Sequence, residues 1–219
     1  MQEHMHDLIE RIDWLGHASF RVAAEDALIY IDPYQLKEED EADIVLVTHS
    51  HGDHCSPADL AKVVGPETIV IAPQDCAEAI APLQPAEHRV LAPGMSTAVD
   101  TITIDAVPAY NIVKTQFHPK EQRWVGYIIT VDGVRLYHAG DTEHIPEMDD
   151  IECDIALLPL GRTYTMSGVQ EAAAAARAIG AAFVIPMHYG TYEGSSDDAA
   201  AFRDLLEDEV QVVIKDVVD

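Results

Sequence analysis

Residues 48–54 read Thr-His-Ser-His-Gly-Asp-His, so three imidazoles and a carboxylate stand within six consecutive positions. They end the run 43–48, Asp-Ile-Val-Leu-Val-Thr, which has the length and β-branched character of a buried strand. If the backbone stays extended past that strand, His49 and His51 point to the same side, because side chains alternate with a period of two. Imidazoles so placed suit a divalent metal such as zinc, whose bonds to nitrogen are about 2.0–2.1 Å. Asp53 and His54 lie further on, at the mouth of a helix, and can face a second ion. Gly52 permits the tight bend between the two pairs. The plainer alternative is a polar loop with incidental histidines, but clustering this dense is rare by chance.

Working outward, Ser56 is a suitable N-cap and Pro57 a suitable first helical residue, so a helix is predicted over 57–64, stopped by Gly65-Pro66. A strand over 68–72, a short helix near 74–80 and strands over 88–92 and 101–107 follow. Asp132-Gly133 is a two-residue turn joining strands over 125–131 and 134–139. A buried strand over 154–158 precedes a helix over 168–179. For that helix Ser167 and Gln170 supply a capping box, Gly180 the stop, and the alanine run 172–176 a close-packed face. A strand over 182–186, a helix over 197–208 and a strand over 211–214 complete the chain. Upstream, strands are predicted over 9–14, 18–23 and 27–31. Strands first and then strand–helix alternation, twice over, fit two sheets face to face with helices outside, an α+β four-layer αββα sandwich. No linker divides the chain, so residues 1–219 read as one domain.

The heptapeptide at 48–54 matches the T-H-x-H-x-D-H signature of the metallo-β-lactamase superfamily, and the chain resembles that family over nearly its whole length. The resemblance implies a metal set of His49, His51, Asp53, His54, Asp141 and His188. Asp141, in Gly140-Asp141-Thr142 after a hairpin strand, would bridge two ions. His188, in Pro186-Met187-His188-Tyr189-Gly190, would complete the second site. Asp32, in Ile31-Asp32-Pro33, would support the cluster from behind. Simple strand-end turns are the plainer readings of Asp32 and Asp141.

One expected feature is missing. The family places a histidine at a strand end as third ligand of the first site, and the matching stretch here is Pro108-Ala109-Tyr110-Asn111. Three readings stay open. His118 loops back as ligand or substrate contact; or the first site is weak, with water or Asn111 filling in; or only Asp53, His54, Asp141 and His188 hold metal tightly. Tyr110 and Asn111 are themselves candidates for supporting or substrate contacts.

The stretch Trp14-Leu15-Gly16-His17-Ala18-Ser19-Phe20 resembles a branch of metal-dependent hydrolases near the ascorbate-6-phosphate lactonase. In that branch the Gly-His turn lies near the pocket, so His17 either contacts substrate or is a satisfied turn histidine. His138 is not assigned as a ligand. Cys55 could join a metal as thiolate, though a small buried residue at a helix start is the plainer reading. Other lactamase branches carry cysteine where this chain has Asp141, which argues against β-lactam cleavage.

Composition narrows the class further. Hydrophobic residues are 48% of 219, enough for a core. Asp plus Glu number 39 against 13 Lys plus Arg, a net charge of −26, with acids scattered along the chain. Such a field opposes compaction unless salt screens it, which points to a salt-adapted cytoplasm such as a halophilic archaeon's. It also disfavours nucleic-acid phosphates as partners. Residues 1–10 carry Glu3, Asp7 and Glu10 in place of a signal peptide's apolar core. No apolar run approaches the ~20 residues of a membrane span. The three cysteines are odd in number and widely spaced, which fits a reducing cytoplasm.

Together these features predict a metal-dependent hydrolase of a small molecule. One or two zinc ions would bring a water's pKa to about 7, and the resulting hydroxide would attack an ester, lactone, amide or phosphoester. Asp53 or Asp141 would carry the proton. Manganese, iron or nickel suits the same ligands. Two alternatives belong to other classes: an iron oxidoreductase of the same fold, and a non-catalytic metal-binding module. Within the family, flavodiiron proteins carry a glutamate where this chain has His51 and need a second domain, and persulfide dioxygenases use the histidine missing here. The oligomeric state is left open, a homo-oligomer included.

Overall fold

The computed structural model describes residues 2–37 and 40–218. One sheet contains, side by side, β1 (Ile12–Gly16), β2 (Ser19–Ala23), β3 (Leu28–Ile31), β4 (Ile44–Leu46), β5 (Ile69–Ala72) and β6 (Glu87–Val90). The other contains β7 (Ser96–Val99), β8 (Ile102–Pro108), β9 (Val125–Val131), β10 (Val134–His138), β11 (Ile155–Pro159), β12 (Phe183–Met187) and β13 (Gln211–Val212) in the same sequential manner. The helices are α1 (Gln2–Glu10), α2 (Pro57–Val63), α3 (Ala77–Ile80), α4 (Val169–Ile179) and α5 (Ser196–Leu206).

Alternation along the strands builds the layers. Ile29, Ile31, Ile44, Leu46 and Ile71 turn into a core shared with Ile104, Tyr127 and Ile129 of the second sheet. Their neighbours Tyr30, Val45, Val47 and Val70 turn the other way, onto Leu60 and Val63 of α2 and Ile80 of α3. On the far side, Ala172, Ala173, Ala175 and Ala176 are fully buried and let α4 close on β11 and α5. The result is the αββα sandwich expected from the order of elements. Within each sheet a parallel set, β3 to β6 and β10 to β13, sends the carboxyl ends of its strands to one edge. Open α/β sheets bind ligands at that edge.

Local chemistry explains most boundaries. Ser56 caps α2, its Oγ accepting the Asp59 N–H at 3.3 Å. Asp132 and Gly133 both adopt positive φ, +51° and +78°, as the tight turn between β9 and β10 requires. Gly180 ends α4 in the left-handed region.

Three expectations need correction. Residues 2–10 form a helix where a strand over 9–14 was expected. Met5, Leu8 and Ile9 recur at helical spacing and bury one face, and β1 begins only at Ile12. The capping box of α4 does not form. Gly168 takes the cap position at φ +81°, and Glu171 rather than Gln170 reaches back, accepting the N–H groups of Ser167 (2.6 Å) and His144 (3.0 Å). The short helix expected near 74–80 is present, as one α-turn between two 3₁₀ turns. β7 pairs with β8 where no strand was expected. No helix among the described residues is long and apolar enough to cross a membrane.

Candidate metal centre

Every segment that carries a candidate residue leaves a strand at the same edge. Asp32 follows β3, the histidine cluster follows β4, Asn111 and His118 follow β8, Asp141 follows β10, His188 follows β12, and His17 sits in the β1–β2 turn. Gly140 must be glycine: its φ is +64°, and a Cβ there would lie 2.8 Å from the Val125 carbonyl oxygen.

The side chains gather in overlapping groups able to hold a cation. His49, His51 and His118 form one, His17, Asp53, His54 and His188 another, and His49, His54 and Asp141 join them. Asp141 lies between. Its Oδ1 is 3.4 Å from His54 Nε2 and 3.1 Å from His188 Nε2, while its Oδ2 is 3.2 Å from His118 Nε2. The carboxylate thus offers one oxygen to each side.

Partners behind the rings fix which nitrogen faces inward. Asp32 Oδ2 accepts from His54 Nδ1 at 2.7 Å and from the Thr48 hydroxyl at 2.6 Å, and its Oδ1 takes the Thr48 N–H at 2.7 Å. That leaves His54 Nε2 as the nitrogen turned towards the cluster. Thr48 Oγ1, having donated to Asp32, takes the Nδ1–H of His49 at 3.0 Å, so His49 Nε2 faces His51 Nδ1 at 3.1 Å. His118 Nδ1 donates to the Tyr164 carbonyl at 3.2 Å. Glu193 Oε1 lies 3.1 Å from His188 Nδ1. This arrangement of outer partners is the usual one around metal-bound imidazoles.

The fit to a cation can be tested on what the interior leaves unsatisfied. His54 Nε2, His118 Nε2, His188 Nε2 and Asp141 Oδ1 are buried and have no hydrogen-bond partner. A buried polar atom without a partner costs about 1–3 kcal/mol. Four that converge on one small region call for a positive ion, and nitrogen with oxygen donors suits a divalent one. The residues present therefore fit a metal.

The electrostatics agree. Burial drives the His49 imidazole well below its usual range. For His54 burial acts the same way, but Asp141 and Asp32 override it and hold the imidazolium well above. His188 is raised to about 9 by Asp141 against the effect of burial. Burial would raise Asp141, yet His188 and His54 hold it well below. Burial would raise Asp53, but the His17 hydrogen bond together with the charges on His54 and His17 brings it down to about 2. In the absence of an ion, protons on His54 and His188 neutralise the carboxylates, and an ion would displace them.

The sequence candidates sort clearly. His49, His51, Asp53, His54, Asp141 and His188 all come together, with Asp32 behind them. His118 lies at the centre although it comes late in a loop, held there by the Asn111 N–H on its carbonyl at 2.7 Å. Asn111 braces that loop, its Nδ2 donating to the carbonyls of Lys114 and Tyr164, while its buried Oδ1 has no hydrogen-bond partner. His17 donates from Nε2 to Asp53 Oδ2 at 3.2 Å and has a buried, unpartnered Nδ1. Tyr110 is a correction: its hydroxyl turns away to Glu147 at 2.9 Å, under Lys120. Cys55 packs beneath the cluster with Val47 and Leu60 and joins none of the groups. His138 is a satisfied core residue, taking the Gly140 N–H on Nδ1 and donating from Nε2 to the Ala18 carbonyl.

Two residues were missed. Glu193 accepts the N–H groups of Arg162, Thr163 and Tyr164 and so fixes the loop bearing the Tyr164 carbonyl. Glu143 does the same for Ile112, Val113 and Lys114. Their only sequence signal is nearness to the Gly140-Asp141-Thr142 and His188 motifs. Trp124 lies tilted against His49 and edge to face with His51, ring centroids 4.9 and 4.7 Å away. The cluster opens into a cavity of about 450 Å³, walled by Tyr34, Phe117, Tyr164 and Tyr192.

Comparison with known proteins gives the same picture. Residues 11–188 match the model of a β-lactamase superfamily domain. A UPF0173 metal-dependent hydrolase of Thermococcus onnurineus is 34% identical over 221 residues, covering 93% of this chain and 95% of its own. One from Methanoculleus marisnigri is 36% identical, covering 90% and 88%. The crystal structure of a candidate metal-dependent hydrolase from Parabacteroides distasonis superposes with a TM-score of 0.83 at 35% identity, covering 94% of this chain and 93% of that one.

Proposed function

The chain belongs to the metallo-β-lactamase superfamily and is a metal-dependent hydrolase, and on that footing we propose that it cleaves an ester, lactone or phosphoester at a centre of two divalent ions. His49, His51 and His118 would hold the first ion, and Asp53, His54 and His188 the second, with Asp141 serving both. The observation that carries this reading is the convergence of unpartnered histidine nitrogens on the two oxygens of Asp141. Zinc suits the donor set, as do manganese, iron and nickel. Such ions, when bound, ionise water near neutral pH and polarise the bond to be cleaved.

The chain's own residues do the rest. Asp32, the Tyr164 carbonyl and Glu193 orient His54, His118 and His188. Asp53 lines the cavity with one oxygen held by His17, and is placed to take a proton from water and return it to the leaving group. Asp141, almost wholly buried, would keep its charge and offer an oxygen to each side of the centre. The substrate is a small molecule of the cavity's size. The resemblance of Trp14–Phe20 to the lactonase branch supports placing a lactone among the substrates. A net charge of −26 offers no basic track to a nucleic acid, and three free cysteines suit a reducing cytoplasm. We treat residues 1–219 as one catalytic unit.

Metal analysis of the untagged protein tests this. Two ions per chain are expected, and His54→Ala and Asp141→Ala should each lose the second ion. Unchanged metal content in both variants would defeat the assignment.

A further inference from the structure

The cavity that opens on the candidate centre has an unusual lining for an enzyme of charged metabolites. Tyr34, Phe117, Tyr164 and Tyr192 make its wall, and none of its lining residues is Lys or Arg. Phe117 and Tyr164 meet edge to face with centroids 4.9 Å apart. Two cations on nearby loops are already engaged: Lys114 is paired with Glu143 and bonded to Ser167 Oγ, and Arg162 is paired with Asp198. Asp32, Asp53, Asp141 and Glu193 surround the histidines. Four carboxylates offset two divalent ions, so a loaded centre presents no surplus of positive charge to a distant anionic group. Beyond it lies a protein of net charge −26, whose field repels anions in dilute buffer and is screened in concentrated salt.

The polar feature at the mouth is a pair of hydroxyls. Tyr34 and Tyr192, from loops after β3 and β12, are hydrogen-bonded to each other, and Gln35 Nε2 donates to the Tyr34 oxygen at 3.2 Å. Two phenols own two O–H groups, and one is used in their mutual bond. Whichever of them donates, one O–H remains free for a ligand. That offers a neutral donor suited to a carbonyl or ether oxygen, next to flat apolar walls.

We propose that the substrate is an uncharged carboxylic ester or lactone with a flat or apolar body, held by the Tyr34–Tyr192 hydroxyls and the Phe117–Tyr164 wall, and that phosphorylated substrates are excluded. This rests on the hydrolase reading above and narrows it. Water adds to the acyl carbon. The acyl C–O bond breaks with its electron pair on the alkoxy oxygen, which takes one of the water's protons. The products are an alcohol and a carboxylic acid, which loses the other proton, and the resulting anion is favoured to leave an acidic surround.

The test uses the full chain loaded with zinc and two ligands that it cannot hydrolyse, valerophenone and phenylphosphonate, with binding followed by calorimetry. Valerophenone should bind at least about tenfold more tightly. Tyr34→Phe with Tyr192→Phe should weaken it roughly 3- to 10-fold, the worth of one hydrogen bond, with metal content unchanged. Tyr192→Lys should strengthen phenylphosphonate binding about tenfold, since it supplies the missing cation. Tighter binding of phenylphosphonate by the unaltered protein, or no binding of valerophenone at millimolar concentration, would overturn the proposal. In parallel, 4-nitrophenyl butyrate should be turned over. If valerophenone binds as expected but two-ion protein cleaves no ester, the hydrolase reading fails while the ligand class stands.

Discussion

His17, Asp32 and His188 hold backbones in the left-handed region, at φ +53°, +47° and +61°. Each such residue costs about 1–3 kcal/mol, so part of the backbone strain sits beside the centre. Their ionisation gives a prediction with a definite sign. His54 and His188 have raised folded values, about 9 for His188. Their stabilisation is fully present below ~6.5, the unfolded value, and fades as pH rises towards 9. Asp53 and Asp141 have depressed values, so theirs is present above ~4 and is lost only as pH falls towards 2. His49 and His17, both lowered, act below ~6.5 and leave the window from 7 to 9 untouched. Chelator-treated protein should therefore show a lower urea midpoint at pH 9 than at pH 7. A midpoint that rises over that range would contradict the proton assignments. Most of these residues were legible in the sequence, because motif order carries them. His118 was open, since only the folded loop brings it back, and Glu193 was hidden because nothing in composition marks an acid as buried.

At the level of elements, periodicity served well wherever one face is buried. The strands around the core were found because Ile29 and Ile31, or Ile44 and Leu46, alternate with residues facing the helices. Helix α1 was missed although its signal was present: Met5, Leu8 and Ile9 share a face, and the apolar Ile9 and Ile12 suggested a strand. α4 was placed correctly but its cap was not: Gly168 takes the cap position and Glu171 accepts two backbone N–H groups from separate segments, one on each oxygen. If α1 is integral to the fold, Leu8→Ala should lower unfolding free energy by about 2–5 kcal/mol, the usual cost of a core cavity, without loss of metal. Leu8 is fully buried, so a change below ~0.5 kcal/mol in urea unfolding, within the range of ordinary surface substitutions, would show that α1 is not docked.

For the molecule as a whole, 39 acids against 13 bases set the dominant long-range force. Ion pairs such as Arg21 with Asp13 and Arg177 with Glu209 engage the few cations and leave most carboxylates facing like charges or water. At 1 M salt the screening length is ~3 Å. Raising KCl from 0.1 to 2 M should therefore raise the unfolding temperature, and an equal osmolality of sorbitol should do so less. A flat response to KCl would remove the case for salt adaptation. The layered architecture also places the chain's two tryptophans on opposite flanks of the centre. Trp14 gives its N–H to the His17 carbonyl, and Trp124 lies against His49 and His51. Open-shell cobalt or nickel quenches indole emission nearby, whereas closed-shell zinc does not. The two indoles thus form a built-in optical gauge, able to report which half of the centre fills first.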